Sequence, residues 1–380
     1  MSSPSFIYLD NNATTRPLPE VIETVARVMH DGFANPGSRH AAGRRARRVL
    51  EDSRESIAGL LGADPREVIF TSGGTESINL ALFGLARGTP GVIATTAGEH
   101  PATVETCRTL AARGWRTRDM AVDSEGLLLT EGIDRWPWDE IKLATVILAH
   151  NETGVIQDLQ PLADECRQRN VPWHIDAVQA VGKIPVNFHT LGATALSLGA
   201  HKFYGPRGIG ALLLRQGTRL VPLLHGGHQE QERRPGTEAT ALIAGMAKAL
   251  EVWSADYERR TSHVRGLRDR LEAGLLERCA PAAINGDRVR RLPNTLNIAF
   301  PGLDGEALLV ALDLEGIGCS LGSTCASGSA EPAPALVAMN RPPEVIRASV
   351  RFSLGIENTE AEIDDAITRI ARVVERLRSA

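Results

Sequence analysis

The chain predicts an α/β fold: a mainly parallel sheet with helices on both faces, followed by a smaller α+β unit at the C-terminal end. Three observations predict it. Short, continuously apolar runs alternate with amphipathic stretches over the first two thirds of the chain, the pattern of strands buried on both faces. The 380 residues exceed what one small core holds. From about Met246 the alternation gives way to a long, charged helical pattern and a second set of strands.

Taken in order, residues 68–71 (VIFT) read as a strand, and residues 91–95, 144–149 and 173–176 continue the series. Between them, residues 75–85 and 162–169 carry apolar positions at helical spacing. Residues 208–214 (GIGALLL) add a further strand. Residues 246–278 read as helical, with Arg259, Arg260, Arg265, Arg268 and Arg270 on a solvated face. Strand-like residues 294–300 and 346–354 follow, and the domain boundary falls near residue 255. The last helix opens at a capping box, Thr359 with Glu362. Ile363, Ile367, Ile370, Val374 and Leu377 then recur along one face.

Net charge is −4, which argues against a general nucleic-acid binder. The basic run Arg44, Arg45, Arg47 and Arg48 shares a helix with Val49, Ile57 and Leu60, so it reads as a solvated face. The N-terminus lacks the basic and apolar regions of a signal peptide, and no apolar run reaches bilayer length. Five cysteines (Cys107, Cys166, Cys279, Cys319, Cys325) at irregular spacing argue against a disulfide framework. Without a Cys-x-x-Cys or His-rich cluster, no protein-built metal site is expected. A reducing cytoplasm fits this cysteine usage.

Four features carry chemistry. Cys325 sits among small polar residues, in GSTCAS at 322–327, too polar a setting for a core thiol. Residues 72–77 (SGGTES) form a glycine turn between a strand and a helix, where backbone N–H groups and the helix dipole favour a phosphate. Taken alone, a plain glycine turn explains that loop as well. Asp176 ends a strand, where ligands of open α/β sheets bind; it reads either as a helix N-cap or as the partner of a pyridinium nitrogen. Lys202, in AHKFYGP at 200–206, invites Schiff-base chemistry or reads as a surface turn lysine. A lysine, a sheet-end aspartate and a phosphate loop together meet the requirements of pyridoxal phosphate.

Residues 8–15 (YLDNNATT), 35–40 (NPGSRH), 70–77 (FTSGGTES) and 99–101 (EHP) form an ordered series along nearly the whole chain. It continues through 151–157 (NETGVIQ), 174–179 (HIDAVQ), 201–206 (HKFYGP), 234–237 (RPGT), 322–327 and 350–355 (VRFSLG). In this shared order the chain resembles the cysteine desulfurases, the NifS/IscS-type branch of the class V aminotransferase group.

That resemblance implies the fold type I of pyridoxal enzymes, with a seven-stranded-type sheet. It implies a large domain at 16–255 and a small one at 256–380 that carries the Cys325 loop and Arg351, with residues 1–15 packing on the small domain. Lys202 would form the Schiff base with pyridoxal 5'-phosphate, Asp176 would pair with the ring nitrogen and Gln179 with the ring hydroxyl. Gly74, Thr75 and His201 would contact the phosphate, and Thr237 would reach it from the second subunit of a homodimer. His100 would stack on the ring and shuttle protons, and Asn151 would lie near cofactor and substrate. Arg351 would clamp the carboxylate of L-cysteine with its planar fork, with Asn11 bordering the same site. Cys325 would take the sulfur as a persulfide and pass it to an acceptor protein, for iron–sulfur cluster, cofactor or tRNA thiolation pathways. Cys319 is open between a packed thiol and a resolving one.

Four positions depart from the group. Gly199 stands where a serine usually bonds the phosphate, which predicts weaker cofactor retention; Ser197 is a conjectural replacement. Gln231 replaces a common arginine, His228 a glycine, and Thr324 an alanine. Two alternatives are another class V lyase or aminotransferase, which needs no Cys325, and an idle scaffold, which needs neither Lys202, His100 nor Arg351.

Overall fold

The computed structural model describes residues 5–321 and 333–379. The chain opens with strand β1 (Ile7–Tyr8), then helices α1 (Pro19–Asp31) and α2 (Ala41–Leu61). Left-handed Gly62 closes α2, the conformation that ends helices at least cost when Cβ is absent. There follow β2 (Val68–Thr71), α3 (Gly74–Leu85), β3 (Val92–Thr96), α4 (Pro101–Ala111) and β4 (Arg116–Met120). Next come β5 (Ile141–Ile147), α5 (Gln160–Gln168), β6 (Trp173–Asp176), α6 (Phe188–Leu191), β7 (Ala195–Gly199) and β8 (Gly210–Leu214).

These strands form a seven-stranded sheet in the order β2-β8-β7-β6-β5-β3-β4. Its pairs are parallel except at β8, which runs antiparallel to both β2 and β7. Alternation sends neighbouring residues to opposite faces. Val68, Phe70 and Leu213 join one core with Val21, Leu50 and Met246, whereas Ile69, Leu143 and Leu212 join another with Ile78, Leu82 and Leu110. The expected layering, a mainly parallel sheet covered on both sides, is present.

The remainder comprises α7 (Thr240–Ala255), α8 (Tyr257–Arg278), β9 (Ala283–Ile284), β10 (Thr295–Ala299), α9 (Gly305–Leu314) and β11 (Ile317–Gly318). It ends with α10 (Pro334–Ala338), α11 (Pro343–Arg347), β12 (Ser349–Ser353) and α12 (Glu360–Arg378). Strands β12, β10 and β9 make an antiparallel sheet, and β1 pairs in parallel with β11. Ile7 and Leu9 therefore share a core with Leu271, Leu296, Phe352, Ile363 and Ile370. The Thr359–Glu362 capping box is formed on both sides.

Three readings are corrected. The helical stretch at 246–278 is two helices, broken at Asp256 (φ −135°). Arg268 is buried and donates to the Leu292 carbonyl at 2.9 Å; lying four residues after Val264 and three before Leu271, it falls on the core face of α8. Ile346 and Arg347 belong to α11, so the strand begins only at Ser349. The Arg44–Arg48 run is exposed along α2, as expected. No helix among the described residues is long and apolar enough to cross a membrane.

Candidate active site

Parallel strands β6 and β7 end side by side, with Asp176 paired to Ser197 in register. Asp176 is the last residue of β6, buried at 2 % exposure, and its Oδ1 accepts from the Val178 N–H at 2.9 Å. A turn rather than a helix follows it. Burial pushes its carboxyl upward, opposed by the attraction of His100, that turn hydrogen bond and the Lys202 ammonium. Beyond β7 a single helical turn ends at Lys202. Lys202 Nζ donates to the Asn12 carbonyl at 2.6 Å and the Ala13 carbonyl at 2.9 Å. Burial, followed by the charge of Arg351, lowers its pKa to about 8, with Asp10 and Asp176 opposing.

Gln179 donates through Nε2 to the same Asn12 carbonyl at 2.8 Å. His100 caps α4: its Nδ1 accepts from the Ala102 N–H at 3.1 Å, so the neutral ring carries its proton on Nε2. Burial pushes the His100 pKa down, Asp176 pulls it up, and Lys202 adds to the downward side. The helix-cap reading is thus met, in a ring that also lies close enough to Asp176 and Lys202 to feel their charges. His201 Nδ1 lies 3.2 Å from Thr14 Oγ1, and burial with Lys202 nearby lowers its pKa to about 4.

Gly74 opens α3 against the turn after Asp176, and a Cβ there would meet Val178 Cγ2 at 2.7 Å. That contact sets the α3 N-terminus at the same edge of the sheet as Asp176. Thr75 is exposed on the first turn. A Cβ on Gly199 would lie 3.2 Å from the Gly74 nitrogen, so position 199 faces the glycine turn at the start of α3. Ser197 is fully buried and bonded at 2.8 Å to His174 Nε2, which leaves it committed to the sheet interior.

From the antiparallel sheet, Arg351 enters on β12. Its Nη2 pairs with Asp10 Oδ1 at 2.6 Å and its Nη1 donates to the Asn151 carbonyl at 3.2 Å. Nε is buried with no partner among the described residues. Asn151 contributes its backbone oxygen here, which also accepts from Asn12 Nδ2 at 3.1 Å. Asn11 donates its amide to the Ser353 carbonyl at 3.0 Å, two residues along β12 from Arg351, and packs on Gly355. Thr237 is exposed on a loop held to α3 by the Arg234–Glu76 pair at 2.8 Å, and no hydrogen bond ties it to the Lys202 group. On that loop Glu230, Gln231 and Glu232 are all left-handed, pinned by the buried Glu230–Arg54 pair, while His228 Nδ1 lies 2.7 Å from Glu232 Oε1.

Cys325 and Thr324 lie outside the described residues. The residues on either side reach the site: Ser320 and Arg351 exchange backbone hydrogen bonds, and Ala335 packs on Gly98, two residues before His100. Cys319 is half-buried, and burial pushes its thiol up.

Four residues escaped sequence reading. Asn12 and Lys183 stand beneath Lys202, the latter a lone cation in the apolar run 180–184. Glu99 is buried and accepts from Thr96 Oγ1 and, at 2.8 Å, from the Ile147 N–H. His150 Nε2 donates to the Gly98 carbonyl at 2.7 Å, with Nδ1 accepting from Glu152, which steadies the turn before His100.

The donor set fits pyridoxal phosphate: an amine of lowered pKa, a buried carboxylate beside it, a helix N-terminus without side-chain obstruction and a guanidinium with a spare N–H. Comparisons with known proteins agree. The family model Aminotransferase class-V matches residues 7–365. A cysteine desulfurase of Nostoc sp. is 42% identical over 377 residues, covering 99% of this chain and 94% of that one. Cysteine desulfurase NifS of Azotobacter vinelandii is 41% identical over 376 residues, covering 98% and 94%. A solved NifS-like protein superposes with TM-score 0.92 at 34% identity, covering 98% of this chain and 100% of that one.

Proposed function

The chain belongs to the aminotransferase class-V family, and on that premise we propose that it is a pyridoxal-phosphate-dependent cysteine desulfurase, converting L-cysteine to L-alanine. The observation that carries the reading is the convergence of Lys202, Asp176 and His100 at the ends of β6 and β7, with Arg351 entering from the other sheet.

Lys202 would bind the cofactor covalently, with Asp176 and Gln179 at the ring and Gly74, Thr75 and His201 at the phosphate. Thr237 would come from the partner of a homodimer. When bound, the cofactor supplies an electron sink for bonds made and broken at the substrate α- and β-carbons. An amine near pKa 8 is about one-tenth unprotonated at pH 7, several hundred times more than an ordinary lysine. Lys202 thus acts as a base when released, and His100 holds a proton at Nε2 within the same cluster. Arg351 offers Nε to the substrate carboxylate, with Asp10 and Asn151 fixing the rest of its fork.

Cys325 is the proposed nucleophile. It follows Ser320 by five residues, a reach of at most about 17 Å, and Ser320 is paired to Arg351. Its thiolate attacks the substrate sulfur, the carbon–sulfur bond breaks and the carbon fragment takes up a proton to leave as alanine. Thiol plus cysteine thus becomes persulfide plus alanine, with no outside oxidant. We assign delivery to a sulfur-acceptor protein and action in the cytoplasm.

The test is incubation of the pure protein with L-cysteine and a reductant, following alanine and sulfide in wild type and Cys325→Ser. Wild type should yield both, and the variant should lose sulfide release by at least about a hundredfold. Equal rates would remove Cys325 from the mechanism; consumption of another amino acid without alanine would favour a different class V reaction.

A further inference from the structure

Asn12 has every polar atom engaged. Its side-chain Nδ2 donates to the Asn151 carbonyl at 3.1 Å and Thr295 Oγ1 at 2.9 Å. Oδ1 accepts from Lys183 Nζ at 2.9 Å and Asn294 Nδ2 at 3.0 Å. The backbone N–H donates to Ser353 Oγ at 2.9 Å, and the carbonyl accepts from Lys202 and Gln179. Two donors and two acceptors on the side chain are thus all used, a pattern that asparagine alone supplies at this size. The residue is 1 % exposed, so loss of any partner leaves a buried polar atom unpaired.

Lys183 is the other half of the device. It is buried, and its Nζ donates to Asn12 Oδ1 and to Gln179 Oε1, one helical turn earlier. One amine therefore holds both the Asn12 side chain and Gln179, which itself donates to the Asn12 carbonyl. Burial lowers its own pKa well below the ordinary lysine value, with the charges of Lys202 and Arg351 acting in the same direction.

We propose that Asn12 is a positioning residue, held by Lys183, whose carbonyl forms with that of Ala13 a docking perch for the free ε-ammonium of Lys202. During the reaction the lysine must let go of the cofactor, hold a proton and return. Two fixed carbonyls give it a defined resting place and favour its protonated form, partly offsetting burial. The inference rests on the reading of Lys202 as the cofactor lysine.

The charged and titratable groups facing Lys202 are Arg351, Asp10, Asp176, His100, His201 and Lys183. They make the sign of a shift diagnostic. Were Lys183 a charge that repels Lys202, its removal would raise the Lys202 midpoint. A strut that aims the carbonyls acts in the opposite sense, because loosening the perch withdraws hydrogen bonds from the ammonium and lowers the midpoint.

The experiment uses the full-length chain freed of cofactor. Lys202 is labelled with trinitrobenzenesulfonate across pH 6 to 10 and quantified by peptide mass spectrometry, in wild type, Lys183→Met and Asn12→Ala. Wild type should titrate near 8, and both variants should titrate lower by at least about half a pH unit. Circular dichroism and rebinding of cofactor verify the fold. If Asn12→Ala fails to fold, Lys183→Met decides the matter, since methionine is unbranched and of similar length but donates no hydrogen bond. An unchanged or raised midpoint in the folded Lys183→Met protein overturns the proposal. The labelling reads the lysine itself, so its outcome stands apart from the alanine and sulfide assay.

Discussion

Glu99, one residue before His100, is a carboxyl in an interior that cannot hydrate it. Burial, the largest influence, raises its pKa to about 8, so at neutral pH it is mostly an uncharged acid. Its Oε2 and the Thr103 hydroxyl are set together, and neither meets another partner among the described residues. The folded-state value stands above the unfolded one, so the folded state binds the extra proton between about pH 4.5 and 8. Stability from this group is complete below that window and is lost as pH rises through it. Glu99→Gln keeps the oxygen that accepts from Thr96 and Ile147 and brings an amide toward Thr103. The fall in melting temperature from pH 5 to pH 8 should therefore be smaller in the variant than in wild type. Equal falls, read by differential scanning calorimetry, would show that Glu99 is ionised in the folded protein.

Gly199, where the end of β7 meets the start of α3, is one of the positions at which this chain departs from the group it resembles. With Ser197 committed to His174, no side chain on β7 replaces the missing hydroxyl of Gly199. A serine there would place Cβ 3.2 Å from the Gly74 nitrogen, a contact that α3 must yield to by a few tenths of an ångström. If it yields, one added hydrogen bond of about 1 kcal/mol slows or weakens cofactor loss by roughly fivefold. Gly199→Ser is therefore expected to retain cofactor better on exhaustive dialysis, read by the absorbance that remains. Faster loss would mean that the loop is too tightly packed to admit a side chain. Strand and helix boundaries were legible here because apolar runs end sharply at Thr71 and Asp176. The break at Asp256 was not, since α7 and α8 both keep helical composition across it and only the backbone turn separates them.

At the scale of the whole molecule, the site is assembled from parts that sequence order keeps far apart. Lys202 and Asp176 stood out as candidates because one lies in a short turn motif and the other at a strand end, whereas Gln179 and Arg351 entered only through the resemblance. Asn12 and Lys183 were not readable, because one acts through its backbone oxygen and the other through partners on separate segments. No local pattern encodes either. The proposed dimer adds a further level: Thr237 is exposed on its own chain, as a residue offered to a neighbour should be. Sedimentation is expected to give twice the 40.9 kDa chain mass, and Thr237→Ala to weaken cofactor retention while leaving that mass unchanged. A monomer that retains cofactor fully would remove the partner's contribution.

The arm that carries Asn12 also bears on how the chain comes off the ribosome. Asn12 is made well before two of its partners: its hydrogen bond to Ser353 spans 341 positions and that to Asn294 spans 282. The seven-stranded sheet is complete in sequence at Leu214, long before β12 is synthesised. Contacts of such separation are slow to close and are made after local ones. The bonds of Asn12 to Asn151, Gln179 and Lys183 can form earlier, but those to Asn294 and Ser353 must wait until β10 and β12 are built. The proposed seat for Lys202 is therefore fully fastened only once β12 has arrived, and a chain that stops short of it carries every residue of the β6 and β7 ends with Asn12 missing its bond to Ser353.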